Sequence, residues 1–174
     1  PGDLLHVDYG VRLMGLVTDQ QKMGYVLEPG ETAPPAGLQE LFAQSVRTGE
    51  ILAEELVPGV EGRTVRLRAL ARTEQEGIQA SIYSHVQGNW VHGVGAWAIQ
   101  DWPERYGVHP REPVRESEFW SVEYSVSGDV PGWGAARMAR EEDAWINPAT
   151  GRLEFLVGPQ RELWLIRTPS RPVS

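Results

Sequence analysis

The 174-residue chain contains no cysteine, which removes disulfides, thiolate zinc sites and cysteine nucleophiles from consideration. It also lacks any apolar run near the ~18 residues that would span a membrane. Low-complexity stretches and linkers between separable parts are missing as well. Positive charge is scarce: 16 Lys and Arg stand against 24 Asp and Glu, leaving a formal net charge of -8. That balance argues against non-specific nucleic-acid binding and against docking on an anionic membrane. No initiator methionine precedes Pro1-Gly2-Asp3, so the chain reads as a fragment, a processed product or a trimmed domain whose true N-terminus lies elsewhere, with no signal peptide visible in the residues given. A cytoplasmic location is the expectation. Hydrophobic content of 41% over this length suits one domain, residues 1–174, with a core of its own.

What is present is acid in unexpected places. Asp8 lies in L-L-H-V-D-Y-G, Asp19 in G-L-V-T-D-Q, Glu123 in F-W-S-V-E-Y-S and Glu142 in R-E-E-D-A-W-I. Each sits in or beside an apolar, strand-like stretch. Burying a lone carboxylate is costly, so several pointing inward need partners. His92, in W-V-H-G-V-G, sits between Val91 and Gly93 with Gly95 beyond, and glycines let a backbone approach closely. Its neutral imidazole suits zinc, manganese or cobalt. Four carboxylates and one imidazole make a ligand set for two divalent cations. Singly, each residue has a plainer reading: Asp8 and Asp19 as a turn acid and a surface acid, His92 as a satisfied core histidine.

Periodicity supplies the scaffold. Leu4 to Tyr9 and Arg12 to Thr18 read as two strands of a hairpin, on which Asp8 and Asp19 would face each other across the ladder. Leu38, Leu41, Phe42, Ser45, Gly49, Leu52 and Leu56 recur at helical spacing, predicting an amphipathic helix over about 36–57. A second helix, capped by Thr64, is expected to run to Glu76 and stop at Gly77. Strands are expected over 78–83, 119–126, 135–146, 153–157 and 163–166. The class is α+β with a mostly antiparallel sheet. Trp90, Trp97, Trp102, Trp120 and Trp133 fall around the expected site, with His85 seven residues upstream of His92. His6 and His109 look incidental.

Taken in order, these motifs resemble the pita-bread metallopeptidases: methionine aminopeptidase, aminopeptidase P, prolidase and the metal-free creatinase. P-G-D-L-L-H-V-D-Y-G and the Asp that follows resemble that family's first two metal ligands. W-V-H-G-V-G resembles its histidine ligand, S-V-E-Y-S its third motif, and Arg140-Glu141-Glu142-Asp143 the motif of its last glutamate. L-V-P-G-V-E-G-R-T-V resembles its inter-helix linker. The overall pattern is most similar to the X-Pro peptidase branch. The chain departs from the pattern at A-W-A-I-Q-D-W, where the family carries another histidine, leaving that role vacant or taken by Gln100 or Trp102. Tyr124 replaces the proline after the third-motif glutamate, and the family's domain begins earlier than Pro1.

The resemblance implies a curved, mostly antiparallel sheet with helices on its outer face, lacking the N-terminal part of the domain. It implies two divalent ions, manganese before zinc or cobalt, with Asp8 on one, Asp19 and Glu142 bridging, and His92 and Glu123 completing the other. A bridging hydroxide would attack the scissile carbonyl, with Glu123 as proton shuttle and His85 donating to the carbonyl oxygen. Trp90 and Arg140 are the candidate substrate contacts. The implied substrate is a short peptide with proline second, and the implied full-length assembly a homodimer, with no nucleic-acid or membrane partner. Two other classes remain: a peptidase-like module that binds peptide or protein without turnover, and a dinuclear phosphoesterase, for which one ligand histidine is too few.

Overall fold

The longest regular feature is a hairpin. Alternation in F-W-S-V-E-Y-S-V drives β8 (Phe119–Val130), and a turn with positive φ at Gly132 and Gly134 returns the chain into β9 (Gly134–Asn147). The computed structural model describes residues 1–88, 93–100 and 111–167. Within them the strands before the helices are β1 (Leu4–Tyr9), β2 (Arg12–Leu13), β3 (Leu16–Val17) and β4 (Gln20–Val26). Helices α1 (Ala36–Glu55) and α2 (Gly62–Gln75) follow, then β5 (Ala80–Ile82), β6 (His85–Gln87) and β7 (Val94–Ala98). After β8 and β9 come β10 (Arg152–Phe155) and β11 (Trp164–Ile166).

Among the described residues one sheet runs β1-β4-β9-β8-β6-β7, with β5 also on β8, β10 on β9 and β11 on β4. Every pairing is antiparallel except β11 with β4. The expected first hairpin is rearranged. Residues 12–17 close on themselves as β2–β3 through Met14 and Gly15, both at positive φ, and β1 pairs with β4. Asp8 therefore stands opposite Gln21, not Asp19.

Both helices cover one face of the sheet. Leu38, Leu41 and Phe42 of α1 pack with Met23, Tyr25, Val126 and Met138. Farther along, Ile51 and Leu52 join Val65 and Ala69 of α2 over Ile82, Trp120, Val122, Tyr124 and Ala144. Gly49 lets α1 come down on β8, because a methyl group there would collide with the Tyr124 hydroxyl. The second helix begins at Gly62 behind Glu61, with no side-chain cap, so Thr64 lies inside it. Trp97 and Trp120 meet edge-to-face at 4.8 Å within this core, and Trp133 packs on Tyr25. Trp97 and Trp120 are core residues, and Trp133 packs partly buried against the core. Among the described residues no helix is long and apolar enough to cross a membrane.

Candidate metal centre

With even-numbered residues of β8 turned to the helices, the odd ones face the other way. The β8–β9 register sets Glu123 directly opposite Glu141 and Ser121 opposite Asp143. From the flanks, β4 brings Gln21 opposite Glu141, and β6 brings His85 opposite Ser121. Two glutamates opposed across a ladder destabilise a sheet unless something positive or donating lies between them.

His85 stands at the centre of that problem. Its Nε2 is 3.4 Å from Glu141 Oε1, 3.6 Å from Glu123 Oε2 and 3.8 Å from Asp19 Oδ2. Its Nδ1 lies 3.0 Å from the Val86 carbonyl, which can only accept, so Nδ1 carries the hydrogen. In the neutral ring, Nε2 then turns its lone pair toward three acceptor oxygens. Such a cluster calls for positive charge, as a ring proton or a bound cation. A metal-ligating histidine characteristically donates its other ring N–H to a carbonyl in this way. Ligand atoms of Asp19, His85 and Glu141 all lie within 4.8 Å of one another. One nitrogen and several carboxylates fit manganese, zinc or cobalt.

Amides hold the surrounding acids. Gln21 Nε2 donates to Glu123 Oε1 at 2.8 Å and to Glu141 Oε2 at 3.1 Å. Asp143 accepts from the Asp19 backbone N–H at 2.9 Å, from Gln20 Nε2 at 2.7 Å and from Gln87 Nε2. The Gly93 N–H donates to Asp19 Oδ2 at 2.9 Å. Burial, then the charge of Glu141, pushes the Glu123 carboxyl up to about 8. Burial likewise raises Asp143.

Several expected site residues lie elsewhere. Glu142 points to the helix-covered face, where Lys22 Nζ contacts its Oε2 at 2.5 Å and Arg140 Nη2 its Oε1 at 2.9 Å. Arg140 is 1% exposed, donates to the Gln160 carbonyl and lies 4.7 Å from the Phe42 ring centre, so it cannot contact a substrate on the far face. Adjacent strand residues point to opposite faces, so Glu141, and not Glu142, is the glutamate of this pair that lies beside His85 and Asp19. Asp8 shares the Gln21 face one strand farther out and is exposed. His92, Trp90, Trp102 and His109 lie outside the described residues. Gln100 is buried, and among the described residues its Oε1 finds no hydrogen-bond partner. Sequence reasoning missed Glu141, Asp143, Gln21 and the role of His6, whose Nε2 lies 3.0 Å from Gln21 Oε1. The available signal was parity: Gln21 follows Asp19 by two, and Asp143 follows Glu141 by two.

No protein-family model and no curated protein matches the sequence. Solved structures do. An X-Pro aminopeptidase from Thermotoga maritima superposes with a TM-score of 0.72 at 18% identity, over 95% of this chain and 42% of its own. A dipeptidase from Pyrococcus horikoshii gives 0.68 at 20% identity, over 95% and 42%. The N-terminal domain of the FACT complex subunit SPT16 from Cicer arietinum gives 0.61 at 10% identity, over 85% and 34%. The chain thus has the pita-bread fold of the X-Pro peptidases, and it spans about two fifths of the length of the two peptidases.

Proposed function

We propose that this chain carries the metal centre of a dinuclear aminopeptidase or dipeptidase that cleaves the bond before proline in X-Pro peptides. The observation behind this reading is His85 Nε2 facing Asp19, Glu123 and Glu141 at 3.4–3.8 Å, with its Nδ1–H committed to a backbone carbonyl. Asp19, His85, Glu123 and Glu141 would hold the ions, with Asp8 on the same face. Divalent ions in such a site act as Lewis acids and lower the pKa of water toward ~7. Manganese suits the oxygen-rich set, with zinc or cobalt as substitutes. Glu123 would move the proton. Its side chain is 19% exposed, whereas Asp19 and Glu141 are 5% and 1% exposed, so its carboxyl reaches both the site and solvent. The substrate class is taken from the fold neighbours, two of which are described as an X-Pro aminopeptidase and an Xaa-Pro dipeptidase.

A second reading, a binding module without turnover, is favoured by one of the fold neighbours, described as a subunit of a complex and not as a peptidase. Metal content separates the two. After saturation with Mn2+ and desalting, plasma mass spectrometry should find two ions per chain, and hydrolysis of an X-Pro peptide should depend on them. Glu141→Gln should weaken Mn2+ binding by more than the ~10–100-fold typical of losing an outer partner. Content near zero in a natively folded chain would leave the binding module standing.

A further inference from the structure

Gln21 is 3% exposed, yet its amide is fully engaged at both ends. Its Nε2 donates to one oxygen of each opposed glutamate, Glu123 Oε1 at 2.8 Å and Glu141 Oε2 at 3.1 Å. The remaining oxygens, Glu123 Oε2 and Glu141 Oε1, are the ones turned toward His85 Nε2. With both amide hydrogens spent on carboxylates, Gln21 Oε1 must be the end that faces His6, and His6 Nε2 must donate to it across 3.0 Å. The amide cannot flip without aiming its oxygen at two carboxylates.

We propose that Gln21 is a positioning residue for the metal centre. Its amide grips the outer oxygen of each glutamate, links the two carboxyl groups across the β8–β9 ladder, and presents the inner oxygens toward His85 before any cation arrives. His6, on the exposed strand β1, fixes the orientation of that amide. This inference rests on the metal-peptidase reading. Its physical basis is preorganisation: ligands held in place by outer hydrogen bonds bind metal more tightly than ligands that must first be ordered.

Gln21→Met keeps the length of the side chain and removes both donors. Titration of the folded variant with Mn2+ by calorimetry should show affinity about 10–100-fold below wild type. Loaded with Co2+, it should also show shifted visible absorption bands, because the glutamates would reach the ion differently; a merely structural role would leave those bands in place. Should Gln21→Met fail to fold, Gln21→Asn, which keeps the amide but is one methylene short of spanning both carboxylates, should show the same two changes. Wild-type affinity and unchanged Co2+ bands in a folded variant would overturn the role of Gln21 while leaving the metal centre intact. Wild-type protein that is natively folded yet takes up no Mn2+ would instead remove the metal-peptidase reading, and this inference with it.

Discussion

The same two strands, β8 and β9, carry acids on both faces, and the two faces answer them differently. On the helix side, Glu142 is met by Lys22 and Arg140, with Gln160 and Ser45 completing the network. On the open side, Glu123, Glu141 and Asp143 are met by glutamine amides, a backbone N–H and His85. Lys22, the only lysine of the chain, is spent on the helix side. Protein cations close the first network into a structural unit. Amides satisfy geometry on the second without cancelling its charge, which leaves it suited to a cation from solution. The contrast also explains why neighbouring residues as alike as Glu141 and Glu142 have different tasks.

The largest effect is expected on the helix side. Arg140→Leu leaves Glu142 short of one partner and the Gln160 carbonyl short of a donor. Removing one member of a buried ionic network costs on the order of 3–5 kcal/mol. Urea unfolding should register that loss, whereas Mn2+ affinity of the protein that remains folded should be unchanged. If the variant kept its stability and lost metal, the division of labour between the faces would be wrong.

On the open side the effect depends on pH and on metal. The Glu123 carboxyl is raised from 4.5 to about 8 in the folded chain, so the folded state holds an extra proton between those values. The stability contributed by this group is full below pH 4.5, declines as pH rises and is gone above about pH 8. Asp143, also raised, acts in the same direction. Metal-free protein should therefore lose a few kcal/mol of stability from pH 5 to 8, and Glu123→Gln should flatten most of that slope. Mn2+ at 100 times its dissociation constant should restore about 2.7 kcal/mol by mass action. A metal-free chain that grew more stable over that range would contradict the site's electrostatics.

Much of the frame was legible in the sequence, because periodicity survives folding. The helix expected over 36–57 is Ala36–Glu55, and the strands expected from 119 and 135 are the β8–β9 hairpin. The site was legible as a collection of acids but not residue by residue. In R-E-E-D three consecutive acids compete for one inward position, and a slip of one residue exchanges the faces of a strand. Glu141 emerges only from its pairing with Glu123. Arg140 read as a substrate contact because a conspicuous charge beside a ligand motif looks functional; its burial under Phe42 is a tertiary fact. The β2–β3 hairpin was hidden for a similar reason. Met14 and Gly15 at positive φ turn the chain back early and hand the pairing of β1 to β4.

The smallest predicted effect tests whether the open side also gives up stability for its task. Ser121 is fully buried on that face, between His85 on one neighbouring strand and Asp143 on the other. Among the described residues its Oγ has no hydrogen-bond partner. A buried polar group left unsatisfied costs about 1–3 kcal/mol, and removing the hydroxyl removes that cost. Ser121→Ala should therefore raise the stability of the metal-free chain, by roughly 1 kcal/mol once the small void left behind is counted. The urea midpoint in the presence of a chelator is the measurement. The same variant should lose nothing in Mn2+ affinity if the hydroxyl takes no part in the centre. A fall in chelated stability would show that Ser121 is engaged in solution, most simply by an ordered water beside His85, and the open face would then be as well satisfied as the helix-covered one.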